Sequence, residues 1–370
     1  MKNRSSNFEL LRIIAMLMII AYHIYCHCVN VQLTDVNLID KLDNGWFCYP
    51  HFYKRFLLLY LFSPMGKIGN EIFILISGYF LVSKVNDINI VKITKKLLLQ
   101  QGFAAINLVV GSFILYRIIQ PSFKVSMLNI NFFNGMSWFV GCYFLVVLIA
   151  FLFLNKYIDS IGKNDYQKLL IILFAFTQLS WAGSIVNNLA GGMVTLVTGL
   201  FLYSLGGYIR KYEPFSAIRT YVIFLVIIIA YLFIFISAYN DVHNAISYYE
   251  SGTFIQKLPD YADNGIIPII IGVSLFELFR RISVPQNKII NYLGGATFMV
   301  YLLHDNSFAY SIWLAKDWIT LMYESPYKYM VEHAIYTIAT FAIGVLIYTA
   351  YVLICKICSK SVRLVLKDNI

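Results

Sequence analysis

The chain is 370 residues long, 59% hydrophobic and 13% charged, with a mean hydropathy of +0.70, whereas soluble domains are about 45–50% apolar and about 25% charged. This excludes a water-soluble globular chain: apolar runs recur along the sequence, each long enough to cross a hydrocarbon core of roughly 30 Å as a helix. The net charge of +10 is spread in short basic clusters between these runs, a pattern that orients a membrane protein and does not build a nucleic-acid-binding patch.

The first span, about 8–27, follows Lys2 and Arg4 as a signal peptide would, but no small-residue cleavage site follows it, so it is read as a retained helix. It carries Arg12 and His23, 11 residues apart, which is almost three helical turns and places both on one face about 16 Å apart. A cation near the cytoplasmic end and an imidazole toward the far side can hold the two ends of one extended ligand. The competing reading has Arg12 reaching to the inner interface and His23 packed and hydrogen-bonded as a structural residue. His27 reads as an interfacial histidine, and His23, Cys26 and His27 are not read as a metal site. The six cysteines match no zinc or disulfide framework; Cys48 opposite Cys26 or Cys28 is the one pairing considered.

The segment 28–64 is long for a connection and carries Trp46, Phe47, Tyr49, Phe52 and Tyr53. Its apolar stretch 56–63, ahead of Pro64, reads as an interfacial or loop segment. The second span, 65–83, contains Gly66, Gly69, Asn70, Glu71, Ser77 and Gly78. Small residues there permit close helix approach. The carboxylate needs a partner inside the membrane, and Arg12 or His23 is expected to be that partner. Lys92, Lys95 and Lys96 lead into the third span, 97–118, and Trp138 opens the fourth, 136–155.

Four further spans are placed at about 168–183, which is short, 191–209, 220–239 and 264–280. The long segment 240–263 carries Tyr248, Tyr249, Phe254 and Tyr261. The aromatics of the two long segments form either an interfacial belt or a platform for sugar rings. The ninth span, 289–305, brings Thr297, Tyr301 and His304 to a similar face. The tenth, 333–355, ends at Cys355 and Cys358, read as buried, inert thiols.

Charge tests this count, because basic residues should gather in alternate, cytoplasmic loops. With the N-terminus inside, that set is Lys2 and Arg4; Lys84, Lys92, Lys95 and Lys96; Lys156, Lys163 and Lys168; Arg210, Lys211 and Arg219; Arg280, Arg281 and Lys288; and Lys356, Lys360, Arg363 and Lys367. These are most of the 29 basic residues. The opposite side is acidic, with Asp241, Glu250, Asp260 and Asp263 in one loop and Asp305, Asp317, Glu324 and Glu332 in another. The expectation is an all-α, polytopic integral membrane protein of about ten transmembrane helices, both termini cytoplasmic, forming one membrane domain over 1–370 without an internal repeat.

Four segments, in order, resemble one family. Asn7 to His23, with its Arg12-x10-His23 pattern, resembles the opening helix of the membrane-bound acyltransferase 3 family. Gly69 to Tyr79 (GNEIFILISGY) resembles its segment of glycine, acidic residue, phenylalanine and Ser-Gly-aromatic. Ser137-Trp138-Phe139 is similar to its tryptophan-led helix, and Asn291 to His304 (NYLGGATFMVYLLH) to its late helix ending in Tyr-Leu-x-His. The resemblance implies a bacterial cytoplasmic-membrane enzyme that takes an acyl group from acyl-CoA, usually acetyl-CoA. The acceptor it implies is a hydroxyl of a surface polysaccharide or its lipid-linked precursor. His23 would be the catalytic histidine and Arg12 its basic partner, with Glu71 beside them and Trp138, Tyr301 and His304 toward substrate. One departure is Lys92-Ile-Thr-Lys95-Lys96, where relatives carry paired arginines; lysine lacks the bidentate fork, so these lysines either hold CoA phosphates as point charges or only mark the inner side. Some relatives append an esterase-like domain, and without one in the sequence direct transfer to the acceptor is the simpler expectation. No metal is expected. A transporter or exporter of a glycan or acylated precursor is the main alternative, although no pair of broken helices stands at matching positions. A scaffold role leaves the intramembrane Arg12, His23, Glu71 and His304 without a reason.

Overall fold

A computed structural model describes residues 5–33, 55–85, 89–118, 138–178, 193–250 and 265–367, and among these the secondary structure is helical, without strands. In a bilayer this follows from the backbone, since a helix satisfies its own N–H and C=O groups where no water can. The principal helices are α1 (Ser6–Ile24), α2 (Met65–Leu81), α3 (Ile90–Ile118), α4 (Trp138–Ile149), α5 (Lys163–Gln178), α6 (Met193–Tyr212), α7 (Thr220–Glu250), α8 (Ile266–Arg281), α9 (Lys288–His304) and α10 (Pro326–Lys367). Each of the ten expected spans overlaps one of them. Six of the described helices are long and apolar enough to cross a membrane alone: α1 with its continuation to Gln32, α3, α4 with its continuation to Ser160, α6, α7 and α10. The other four have 16 or 17 residues, about 24–26 Å at 1.5 Å per residue, a little short of the hydrocarbon core.

The helices sort into centre and periphery. Most of the apolar window of α1 and of α6 is buried, while little of that of α3, α4, α7 and α10 is. The outer helices present Ile106, Phe113, Phe224, Phe233, Ile338 and Leu346, among others, to their surroundings. Such a surface would aggregate in water and suits lipid.

Glycine sets the spacing at the centre. α2 lies between α1 and α6, and its small residues face both. A Cβ on Gly69 would stand 2.7 Å from the carbonyl oxygen of Ala15 on α1, and one on Gly206 of α6 would stand 2.3 Å from the carbonyl oxygen of Leu75 on α2. The backbones therefore approach as closely as the small-residue pattern of α2 predicts.

Several elements differ from expectation. The stretch 56–63 is helical, Phe56–Leu58 and Leu59–Phe62, and buries Leu59, Tyr60 and Phe62 in the core. It is therefore helix packed against the bundle and not a loop. The connection after α9 holds two short helices, Ser307–Leu314 and Trp318–Glu324. α1 continues through a π-helical turn, Tyr25–Val29, to Leu33, and α7 continues to Glu250. Both expected long connections are thus shortened by helix, and the aromatics at 46–53, 254 and 261 lie outside the described residues, as do Lys2, Arg4 and Cys48. Cys355 and Cys358, expected to be buried, are exposed on α10.

Overpacking a close helix crossing costs about 1–3 kcal/mol. Gly206→Ala should therefore lower the thermal unfolding temperature of the detergent-purified protein. Gly102→Ala, on α3 with nothing within 4 Å of its new methyl, should leave it unchanged or raise it slightly, since alanine is the better helix former. Equal effects of the two substitutions would contradict the packing described.

Candidate active site

The site begins at the C-terminal end of α1, where His23 is buried three turns from Arg12. The π-helical turn that follows directly widens the helix and brings His27 back beside His23, with ring centroids 5.4 Å apart. Inserted π-turns often occur at functional sites, and no residue type in the sequence announced this one.

α9 supplies the opposing wall because it stops abruptly. Asp305 leaves the helical region at φ −87°, ψ 69°, and Asn306 is extended and caps the next short helix, its side-chain oxygen accepting from the N–H of Ala309 at 2.9 Å. Asp and Asn favour such breaks because their side chains satisfy freed backbone donors. The turn gathers His304, Asp305 and Tyr310 around His23.

His304 Nδ1 lies 3.0 Å from the carbonyl oxygen of Val300, and His304 Nε2 lies 2.9 Å from His23 Nδ1. A carbonyl can only accept, so Nδ1 of His304 carries the hydrogen. In the neutral ring Nε2 is then a lone pair, and it accepts from His23 Nδ1–H. His23 Nε2 is thereby left unprotonated, an assignment that follows from the bonding network. The ring centroids are 4.9 Å apart and the planes are inclined by 19°, the nearly coplanar arrangement that an in-plane N–H···N bond requires.

Asp305 completes the cluster. Its Oδ1 accepts from the Tyr310 hydroxyl at 2.5 Å and lies 3.7 Å from His23 Nδ1, and its Oδ2 accepts from the Tyr301 hydroxyl at 3.0 Å. A proton arriving on His23 would be stabilised by this negative charge 3.7 Å from Nδ1. His27 stacks on Tyr310 at 4.1 Å, so it belongs to the cluster. His23, His27 and Asp305 also present ligand atoms within 4.8 Å of one another, the arrangement through which this site could hold a cation, although both oxygens of Asp305 already accept from tyrosines.

A cavity of about 330 Å³ opens on the Arg12 side of this cluster. Arg12, Lys96 and Gln100 are among its polar lining; Phe73, Phe139 and Phe298 are among its apolar lining; Tyr301 links it to Asp305. Thr297 lines it too. Of the three lysines considered for phosphate, Lys96 lines the cavity and Lys92 and Lys95 do not. Arg12 is held by Glu9 at 2.8 Å, one turn earlier. Glu71 is therefore not the partner of Arg12, nor does it bond His23. It is buried, and neither of its oxygens has a hydrogen-bond partner among the described residues. Trp138 opens α4, half exposed, on a separate small cavity beside Glu71.

The comparison with protein families decides what this cluster belongs to. A family model described as an acyltransferase domain matches residues 5–349. The chain belongs to the acyltransferase 3 family. The match covers α1 through most of α10, so it includes both histidines, Asp305 and the large cavity, and it makes the protein a membrane acyltransferase. Neither the curated proteins nor the solved structures returned a match.

Sequence reasoning missed Asp305, Tyr310, Gln100 and Lys67. Asp305 was counted among the acidic residues of an outer loop, and its signal was its place four residues after Tyr301 and next to His304. Lys67 is buried, with its ammonium 2.9 Å from the Tyr22 hydroxyl, and nothing in its local sequence separates it from a lysine at a helix end.

Outer partners that fix a histidine tautomer typically matter by about 10–100-fold. His304→Ala should reduce the acyltransferase turnover number by that order with the donor KM little changed. His304→Gln, whose amide oxygen can accept from His23 Nδ1–H, should retain clearly more. Equal losses in steady-state assays of the two variants would remove the tautomer argument.

Proposed function

We propose that this acyltransferase moves an acyl group, in the simplest case acetyl, from acyl-CoA to a hydroxyl of a cell-surface glycan or its lipid-linked precursor, in the bacterial cytoplasmic membrane with both termini cytoplasmic. The observation that carries the reading is the unprotonated Nε2 of buried His23, fixed by His304 and Val300, together with Tyr301, which packs on His304 at 5.4 Å and lines a cavity that also holds the cations Arg12 and Lys96. Arg12 and Lys96 are suited to the phosphates of CoA. The cavity volume of about 330 Å³ has room for an acylated pantetheine arm, with the nucleotide left at the cytoplasmic mouth. Tyr301 and Thr297 line the cavity, and Tyr301 lies against His304.

In the reaction, His23 Nε2 takes the proton of the acceptor hydroxyl as that oxygen attacks the thioester carbonyl carbon. The new C–O bond forms, the C–S bond breaks, and the CoA thiolate recovers the proton from the His23 imidazolium. Asp305, 3.7 Å from Nδ1, stabilises the imidazolium while it exists. A positioned base of this kind contributes typically 10²–10⁴-fold. No acyl-histidine is required.

The test uses cells lacking the protein, complemented with the wild type or with His23→Ala at matched membrane expression, and reads ester-linked acetyl on the surface glycan by NMR. Wild type should restore the ester and His23→Ala should restore about 10²-fold less or none. Full restoration by His23→Ala contradicts the catalytic assignment. Loss of surface polymer without any change in ester favours export over acylation.

A further inference from the structure

Glu71 does not serve the histidine cluster, and its environment calls for a different role. One turn of α2 places Asn70 and Glu71 on a cavity of about 30 Å³ between α2, α4 and α6. Both Glu71 oxygens and Asn70 Oδ1 are buried acceptors without a donor among the described residues. Glu71 itself is 3% exposed, and a Cβ on Gly272 of α8 would stand 2.9 Å from Oε2, so a helix closes its far side. Trp138, 43% exposed, lines the same cavity from the start of α4. A buried carboxylate without donors is destabilising until something supplies them.

The chemistry of the cavity selects what can do so. Three unsatisfied acceptor oxygens call for O–H donors in number, and an adjacent indole offers a face to an apolar ring surface; a neutral polyol has both. Lys67 lines the same cavity, and its positive charge disfavours a cationic ligand. The volume accommodates a hydroxyl or hydroxymethyl group and not a whole ring. Lys67 also connects the cavity to the reaction centre: its ammonium bonds the Tyr22 hydroxyl, and the Tyr22 and His23 rings are 5.5 Å apart.

We propose that the Glu71 cavity is the acceptor subsite, in which Glu71 and Asn70 accept hydrogen bonds from a non-reacting hydroxyl of a neutral sugar while Trp138 stacks on its ring. This rests on the glycan-acylation reading above. Glu71 is then a binding residue for the acceptor and takes no part in proton transfer.

The experiment measures transfer of radiolabelled acetyl from acetyl-CoA in membranes, with surface polysaccharide purified from cells lacking the protein as acceptor. Glu71→Gln, which exchanges a charged acceptor for a neutral group, should raise the acceptor KM roughly tenfold or more and leave the acetyl-CoA KM within about twofold. Trp138→Ala, a change at an exposed position that does not threaten folding, should also raise the acceptor KM. Unchanged acceptor KM in both variants overturns the subsite, as does a Glu71→Gln protein that loses only turnover or monodispersity in detergent. A Glu71→Leu protein that is more stable and keeps the wild-type acceptor KM shows a cavity that holds water only, and also overturns it. Wild-type membranes that transfer no acetyl overturn the glycan-acylation reading itself, a result separable from the others.

Discussion

A polar group inside a bilayer has to find its partner within the protein, because lipid offers none, and the centre of this molecule is arranged around that constraint. Arg12 is met by Glu9, His23 by His304, and Asp305 by two tyrosine hydroxyls. The pairing of His23 with His304 requires α1 and α9 to lie side by side, and they do so closely: a Cβ on Gly294 of α9 would stand 3.0 Å from the carbonyl oxygen of Glu9 on α1. α2 approaches the other side of α1 through Gly66 and Gly69. Outside this centre the helices need only be apolar, and their exposed faces are.

The arrangement separates two tasks that His23, the base in the function proposed above, would have to perform. As a base it needs a free lone pair, and as an imidazolium it needs a nearby negative charge. Val300 and His304 provide the first by dictating where the hydrogens sit. Asp305 provides the second, 3.7 Å away and positioned by two tyrosine hydroxyls, one on each of its oxygens. Tyr301 belongs to both the cluster and the large cavity, so a donor occupying that cavity would sit against the network that controls the base. Preorganisation of this kind places the donors and charges before the reaction begins.

Much of this was legible in the sequence, unevenly and for physical reasons. Apolar runs located ten helices because hydrophobic length is a one-dimensional property, and the Arg12-x10-His23 spacing put both residues on one helix face because α-helical geometry is local. The pairing of His23 with His304 spans 281 residues, and no local pattern states which distant groups meet; the family resemblance singled out both residues without saying that they touch. Glu71 shows the limit of chemical expectation: a buried carboxylate calls for a cation, yet Glu9 already holds Arg12. The helical, buried stretch 56–62 escaped because Pro64 and Gly66 read as a break, while Pro64 in fact stands at the start of α2, where a missing N–H costs nothing. The π-helical turn after His23 left no trace in residue types.

The central claim is that the large cavity delivers an acyl donor to His23 Nε2. Its most direct test is an experimental structure of the detergent-purified protein with acetonyl-CoA, a thioether analogue whose ketone stands in for the thioester carbonyl. The account predicts the pantetheine arm among Phe73, Phe139 and Phe298, the phosphates near Arg12 and Lys96, and the ketone carbon beside His23 on its Nε2 side. An analogue bound elsewhere, or one whose ketone is walled off from His23, would contradict it.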